Sequence, residues 1–244
     1  MLTIQNTKRD FEQARPQIAV LPVGAVEQHG SHLPVGTDHF IASALAERVA
    51  ERLDAFLLPF LSIASSIEHR KSAGTVYLKA ATLAQVVRDI AESLHGSGYE
   101  KLVVINGHGG NWILKPTVRQ LNVDLEGLDV VLIHTSVAQH RAGEVMERPQ
   151  GDIHAGEKET SLMLHLHPDL VKDVRDCGEQ DFPPQEYMDY FDTSELTEDG
   201  YWGYPQLASA EKGERMLELM TECAIAYIDK LEAYRAKVQA KTKK

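Results

Sequence analysis

The residues with the most chemistry in this chain fall in three short stretches. Glu27 and His29 stand two apart in Gly24-Ala-Val-Glu27-Gln-His29-Gly-Ser-His32, and Asp38 follows closely. His108 lies in Asn106-Gly-His108-Gly109-Gly110-Asn111, and a third stretch runs Gly151-Asp152-Ile-His154-Ala-Gly156-Glu157-Lys-Glu159. Glu27, His29, Asp38, His108 and a further glutamate make a donor set of carboxylate oxygens and imidazoles. Such donors suit Zn²⁺, Mn²⁺ or Fe²⁺ better than Cu(I) or an oxygen-only Ca²⁺ site. Two divalent ions a few Å apart need a carboxylate able to bridge them, and Asp38 is placed for that. The chemistry is that of a metal-bound water, its pKa lowered towards neutrality, attacking a carbonyl that the second ion polarises. A histidine next to the centre can carry the proton to a leaving nitrogen.

Each residue also has an ordinary reading. A lone loop histidine is usually solvated, Asp38 alone reads as a helix cap, and glycines at 106–111 serve turns. Their conjunction is what matters. If the chain is extended at 26–29, Glu27 and His29 share one face, and the ionisable loops both follow sheet strands.

The elements that must position these residues are legible from hydrophobic period. Short β-branched or aliphatic runs at 17–23, 55–63, 101–105 and 130–134 read as buried strands, with Pro59 pointing to an edge for the second. Helical stripes occupy 41–53, capped near Thr37 or Asp38, and 83–94, closing at His95-Gly96. Others run from Trp112 to about Leu121 with Pro116 near the start, and over 159–166. The last, over 209–235, places Met216, Leu219, Met220, Cys223 and Tyr227 on the side that covers the sheet. The alternation implies an α/β fold, a three-layer α/β/α sandwich around a mostly parallel sheet. An eight-stranded barrel needs about twice as many units. One domain over 1–244 is expected, with its core at about 16–236 and a basic tail at 237–244. The acidic, aromatic stretch at 181–204 reads as a lid or a subunit contact. In such a sheet ligands bind beyond the carboxyl ends of the strands, where the three stretches fall.

Composition excludes several classes. The 244 residues carry 25 Lys and Arg against 36 Asp and Glu, a formal net charge of −11, which disfavours nucleic acid and anionic membranes as partners. The 43% apolar content suffices for a core. Cys177 and Cys223 make neither a disulfide framework nor a thiolate zinc site. No apolar run reaches the roughly 20 residues of a membrane span, and the polar N-terminus lacks a signal core. A soluble cytoplasmic protein is expected. The G-x-S-x-G, H-E-x-x-H, P-loop and G-x-G-x-x-G patterns are all missing. His165 and His167 stand about 200° apart on a helix and cannot share an ion there.

Together the motifs resemble the creatininase (creatinine amidohydrolase) family. They are Gly24-x-x-Glu27-x-His29-Gly-x-His32-Leu-Pro-x-x-Thr-Asp38, Asn106-Gly-His108-Gly-Gly-Asn111 and His154-Ala-Gly-x-x-Glu159-Thr-Ser. Ser66-x-Glu68-His69 before Gly74-Thr75, and Ala208-Ser-Ala-x-Lys-Gly213, add to the match. The resemblance implies a layered α/β fold, commonly assembled as a hexamer, and two divalent ions per subunit, Zn²⁺ first with Mn²⁺ or Fe²⁺ as alternatives. It implies that Glu27 and His108 bind one ion, His29 the other, and Asp38 both, with His154 as proton shuttle. Creatinine-cleaving members carry a glutamate two residues after the histidine here numbered His108, where this chain has Gly110. Glu159 is the expected replacement at the second ion and, with His154, in catalysis; Glu157 is the substitute. On a continuous helix Glu159 would lie about 500° from His154, so Gly156 must break the chain between them. Ser66, Glu68, His69, Gly109 and Asp152 are read as substrate-facing.

The glycine at 110, and Ser72-Ala73 in place of the family's Phe-Pro, disfavour creatinine. Other branches act on formylated aminopyrimidine nucleotides, keto-inositol rings or peptide-derived precursors. The expected reaction is hydrolysis of a C–N amide bond, in a cyclic amide or formamide of a small-molecule substrate. The alternatives are opening a C–C bond of a cyclic ketone such as a keto-inositol, and a non-catalytic metal-binding structural or regulatory protein.

Overall fold

Four aliphatic stretches pair into a parallel sheet: β1 (Ile18–Val23), β2 (Phe56–Leu57), β3 (Lys101–Asn106) and β4 (Asp129–His134), in the order β2-β1-β3-β4. This is a computed structural model that describes residues 1–174 and 182–242; Cys177, Asp181, Lys243 and Lys244 lie outside the described residues. Because side chains alternate along a strand, the sheet has two apolar faces. Val20, Val103, Ile105, Val131 and Ile133 join one buried cluster with α2 (Thr37–Arg52), α5 (Glu157–Leu166) and α7 (Ala210–Thr242). Ala19, Leu21, Val23, Leu102, Val104 and Val130 join another with α3 (Ala80–Gly96) and α4 (Leu114–Asp124). The result is the expected α/β architecture of helices on both faces of a parallel sheet. A short α1 (Lys8–Ala14) precedes β1, and α6 (Thr193–Leu196) interrupts the segment before α7.

Several local expectations change. The second strand shrinks from 55–63 to Phe56–Leu57 plus an isolated bridge between Val23 and Leu61, because Pro59 has no N–H for a ladder. It is indeed an edge strand. Helix α2 starts earlier than its apolar stripe and is capped by neither Thr37 nor Asp38: Gly36 is its N-cap, with no side-chain cap bond. Asp38 lies inside the first turn, so its carboxylate is free of capping duty. On α7, Tyr227 is 49% exposed whereas Leu217, Ala224 and Ile228 are buried. The buried face rotates along this helix because α7 packs chiefly on α5 and secondarily on α2. Among the described residues no helix is long and apolar enough to cross a membrane.

The approach of α7 to α5 depends on Gly213, where a Cβ would land on the backbone carbonyl of Ser161. Alanine raises intrinsic helix propensity by about 1 kcal/mol over glycine, but here it meets backbone that cannot turn aside. Gly213→Ala is expected to destabilise the protein by about 1–3 kcal/mol. A lower urea midpoint at unchanged m-value would register it, and a raised midpoint would refute the close packing.

Candidate metal centre

The carboxyl ends of β1, β3 and β4 lie on one edge of the sheet. The chain leaves β1 towards β2 on one side and returns to β3 on the other, so the crevice beyond β1 and β3 is a topological switch point. The first turn of α2 presses into that crevice. A Cβ on Gly24 would stand 2.6 Å from His39 Cα, and one on Gly107 would stand 2.7 Å from the Asp38 carbonyl oxygen. Glycine at both strand ends therefore lets Asp38 enter between the β1 and β3 loops.

Four carboxylates and two imidazoles converge there. His29 Nε2 lies 3.4 Å from Asp38 Oδ1 and 3.6 Å from Glu159 Oε2. His108 Nε2 lies 3.0 Å from both Glu27 Oε2 and Glu68 Oε1, and its Nδ1 is 3.2 Å from Asp38 Oδ2. Two donor groups result, His29–Asp38–Glu159 and Glu27–Glu68–His108, with Glu27–His29–His154 as a third combination. Asp38 turns one oxygen towards each histidine. Glu27 and His29 face the same centre but serve opposite halves of it.

The donors fit divalent ions. Both Glu27 carboxylate oxygens, His29 Nε2, Asp38 Oδ2 and His108 Nε2 are buried without a hydrogen-bond partner. Orphaned buried lone pairs are costly unless a cation satisfies them. Ligands at about 2.1 Å around a tetrahedral ion stand about 3.4 Å apart, close to the 3.0–3.6 Å separations found.

The electrostatics of the metal-free chain point the same way. Burial disfavours a charged His29, yet the carboxylates of Asp38, Glu159 and Glu27 outweigh it and raise its pKa to about 9. Burial likewise opposes a charged His108, and Glu27, Asp38 and Glu68 push it well above its usual value. Asp38 resists burial because His29 and His108 hold its pKa down, whereas burial raises Glu159. Two histidine protons thus supply the positive charge that the carboxylate cluster needs.

His154 behaves oppositely. Burial first, then His29 and His69, force its pKa well below the ordinary value, so it is neutral. Its Nε2 is 2.8 Å from the Gln28 carbonyl oxygen, an acceptor, which assigns the proton to Nε2. Nδ1 is then bare, 3.6 Å from Glu27 Oε1. Two backbone hydrogen bonds with Trp202 hold the residue in place.

The break between His154 and Glu159 is present. Ala155 adopts a left-handed φ of 50°, Gly156 caps, and α5 begins at Glu157. His32 Nε2 donates to the Ala155 carbonyl at 3.0 Å, and the Ala155 N–H donates to Glu159 Oε2 at 2.7 Å. Glu159 faces the centre, whereas Glu157 points away to Lys212 at 2.7 Å and the Glu147 N–H at 3.0 Å.

Two sequence readings need correction. Asp152 lines the cavity, but its oxygens accept the Glu157 and Lys158 N–H groups at 2.6 and 3.0 Å, so it caps α5. Ser66 is wholly buried and does not line the cavity. Glu159 lies on the His29 half, and a Cβ at Gly110 would run into the Glu68 carboxylate. Glu68 therefore faces His108 as well as lining the cavity.

Gly109 and His69 do line the cavity, of about 1210 Å³, and Gln185, Glu186, Met188 and Asp189 form another part of its wall. The 181–204 stretch thus contributes to the site in its described part. His69 Nε2 stands 3.3 Å from Glu27 Oε1. The sequence reading missed Gln28, whose amide donates to His69 Nδ1 at 2.9 Å and the Gly200 carbonyl at 2.8 Å. Its place between Glu27 and His29 was the available signal.

The sequence profile of the creatininase family, described as creatinine amidohydrolase, matches residues 5–228. The mycofactocin precursor peptide peptidase of Mycolicibacterium smegmatis is 34% identical over 231 residues, covering 90% of this chain and 87% of the relative. The creatinine amidohydrolase of Pseudomonas putida is 34% identical over 226 residues, covering 84% and 86%. A 3-dehydro-scyllo-inosose hydrolase of Thermotoga maritima is 23% identical over 258 residues, covering 94% and 80%. A creatininase crystal structure superposes with a TM-score of 0.76 at 30% identity, over 94% of this chain and 97% of that one. Similar structures include a Mn creatininase and a creatininase mutant of Zn–Zn type, with TM-scores of 0.76 and 0.75, both at 30% identity. The first covers 94% of this chain and 98% of that one, the second 93% and 97%.

Proposed function

The chain belongs to the creatininase family of hydrolases, and from that premise we propose that it is a dinuclear metal-dependent enzyme cleaving a C–N amide bond in a small molecule. The carrying observation is the two adjacent donor groups, His29–Asp38–Glu159 and Glu27–Glu68–His108, with buried unpartnered atoms on Glu27, His29, Asp38 and His108 and with Asp38 turning one oxygen to each histidine. Glu27 and His108 would hold one divalent ion, His29 and Glu159 the other, and Asp38 would touch both. Bound there, Zn²⁺, Mn²⁺ or Fe²⁺ would supply Lewis acidity and activate water near neutral pH.

The remaining work falls to the chain itself. His154, neutral and with Nδ1 facing the centre, takes a proton at that atom and returns it to the departing nitrogen. Gln28 and Trp202 keep the imidazole in that orientation. Glu159, fixed by the Ala155 N–H, holds its carboxylate against His29 and beside the site of attack. The same proposal places the enzyme in the cytoplasm as a homo-oligomer, a hexamer by the family pattern.

Amide chemistry is favoured over ring-ketone opening because two relatives at 34% identity are named as an amidohydrolase and a peptidase, against 23% for the inosose hydrolase. A panel of lactams, formamides, short peptides and keto-inositols, assayed after chelation and after restoring Zn²⁺ or Mn²⁺, tests this. Turnover of an amide, lost on chelation and restored by the ion, is expected, with creatinine a poor substrate. Turnover confined to the keto-inositols would replace this reading by C–C hydrolysis.

A further inference from the structure

His108 Nε2 faces two carboxylates at once, with Glu27 Oε2 and Glu68 Oε1 each 3.0 Å away. A single N–H cannot serve both, and Nε2 has no hydrogen-bonded partner. Glu27 is wholly buried, with both carboxylate oxygens also unpartnered. The three side chains come from three separate loops: after β1, in the short turn Ile67–His69 before α3, and after β3. That turn is pinned from α6, where Thr193 Oγ1 donates to the Glu68 carbonyl at 3.1 Å. Three loops distant in sequence thus bring two carboxylates and an imidazole to one point.

Gly110 is what leaves room for this. A Cβ at 110 would collide with the Glu68 carboxylate and crowd His108 Nε2. A side chain at 110 and the present position of Glu68 exclude one another. We propose that Glu68 is a fourth protein donor to the ion held by Glu27, His108 and Asp38, and that the bare Gly110 admits it. The proposal rests on the metal-centre reading above and adds which loop completes one half of it. It also makes that half depend on α6, since the Glu68 turn is tied there.

Metal binding tests it independently of activity. Chelated, gel-filtered protein is titrated with Zn²⁺ and with Mn²⁺ against a competing indicator, and bound metal is counted by plasma emission. Wild type is expected to bind two ions. Glu68→Gln is expected to keep the ion on the His29 half and bind the other on the order of 10–100-fold more weakly, since even outer-shell partners of a metal matter to that extent. Gly110→Ala should weaken the same ion by displacing Glu68, which keeps the test open if Glu68→Gln misfolds. The double variant Glu68→Ala/Gly110→Glu should recover affinity by presenting a carboxylate from the other loop. If Glu68→Gln or a folded Gly110→Ala binds both ions as wild type does, Glu68 is only an ion-pair partner of His108 and the proposal fails. Wild type that binds no ion would overturn the metal reading itself, a separate result.

Discussion

Asp38→Ala is expected to lose both ions and to lower kcat/KM by at least about 10³-fold, the upper end of what removing one electrostatic stabiliser costs an enzyme. Asp38 faces a histidine of each half of the centre, with Oδ1 3.4 Å from His29 Nε2 and Oδ2 3.2 Å from His108 Nδ1. On the proposed dinuclear reading, removing it would take a donor from each ion at once. Folding should survive, because Asp38 makes no capping bond to α2. What α2 loses is a favourable carboxylate in its first turn, worth about 0.3–1 kcal/mol. Metal analysis alongside kinetics on a folded variant decides the matter. Two retained ions would remove Asp38 from the shared position and break the dinuclear reading.

His154→Ala should behave differently, with kcat falling by about 10²–10⁴-fold while both ions stay bound. The imidazole is neutral because burial and then His29 and His69 lower its pKa well below 6.5. A base with a depressed pKa remains competent as the medium turns acidic and is lost only when pH falls through that lowered value. Divalent ions nearby would push the value lower still. The acid limb of kcat due to His154 should therefore lie below pH 6.5 and vanish in the variant. Loss of an ion on substitution would instead make His154 a metal ligand, as its place beside Glu27 and His29 permits.

The fold was largely legible because its signals are local. Aliphatic runs at β1, β3 and β4 sit on both faces of a parallel sheet and so read as continuous apolar strands. Where the reading slipped, a non-local force intervened. Thirty-three residues of α7 cross two partners, so its buried face rotates and Tyr227 falls outside it. Pro59 truncates β2 because an edge ladder needs N–H groups there.

The site divides along the same line. Residue chemistry singled out Glu27, His29, Asp38 and His108 near strand ends, and the family resemblance added His154 and Glu159. Chain geometry alone required a break at Gly156, which the left-handed Ala155 and the cap at Gly156 provide. Roles that depend on what lies opposite were hidden. Asp152 faces the free N–H groups of α5 and caps them, while Ser66 is sealed behind the cavity wall. Glu68 fills the space that Gly110 leaves.

The sequence by itself determined the layered α/β fold, the strand-end location of the chemistry and the donor types, because hydrophobic period and side-chain pKa are properties of short stretches. Only the tertiary structure decided which carboxylate meets which histidine. That pairing is set by strand order, by the close approach of α2 at Gly24 and Gly107, and by loops distant in sequence that must share one buried volume.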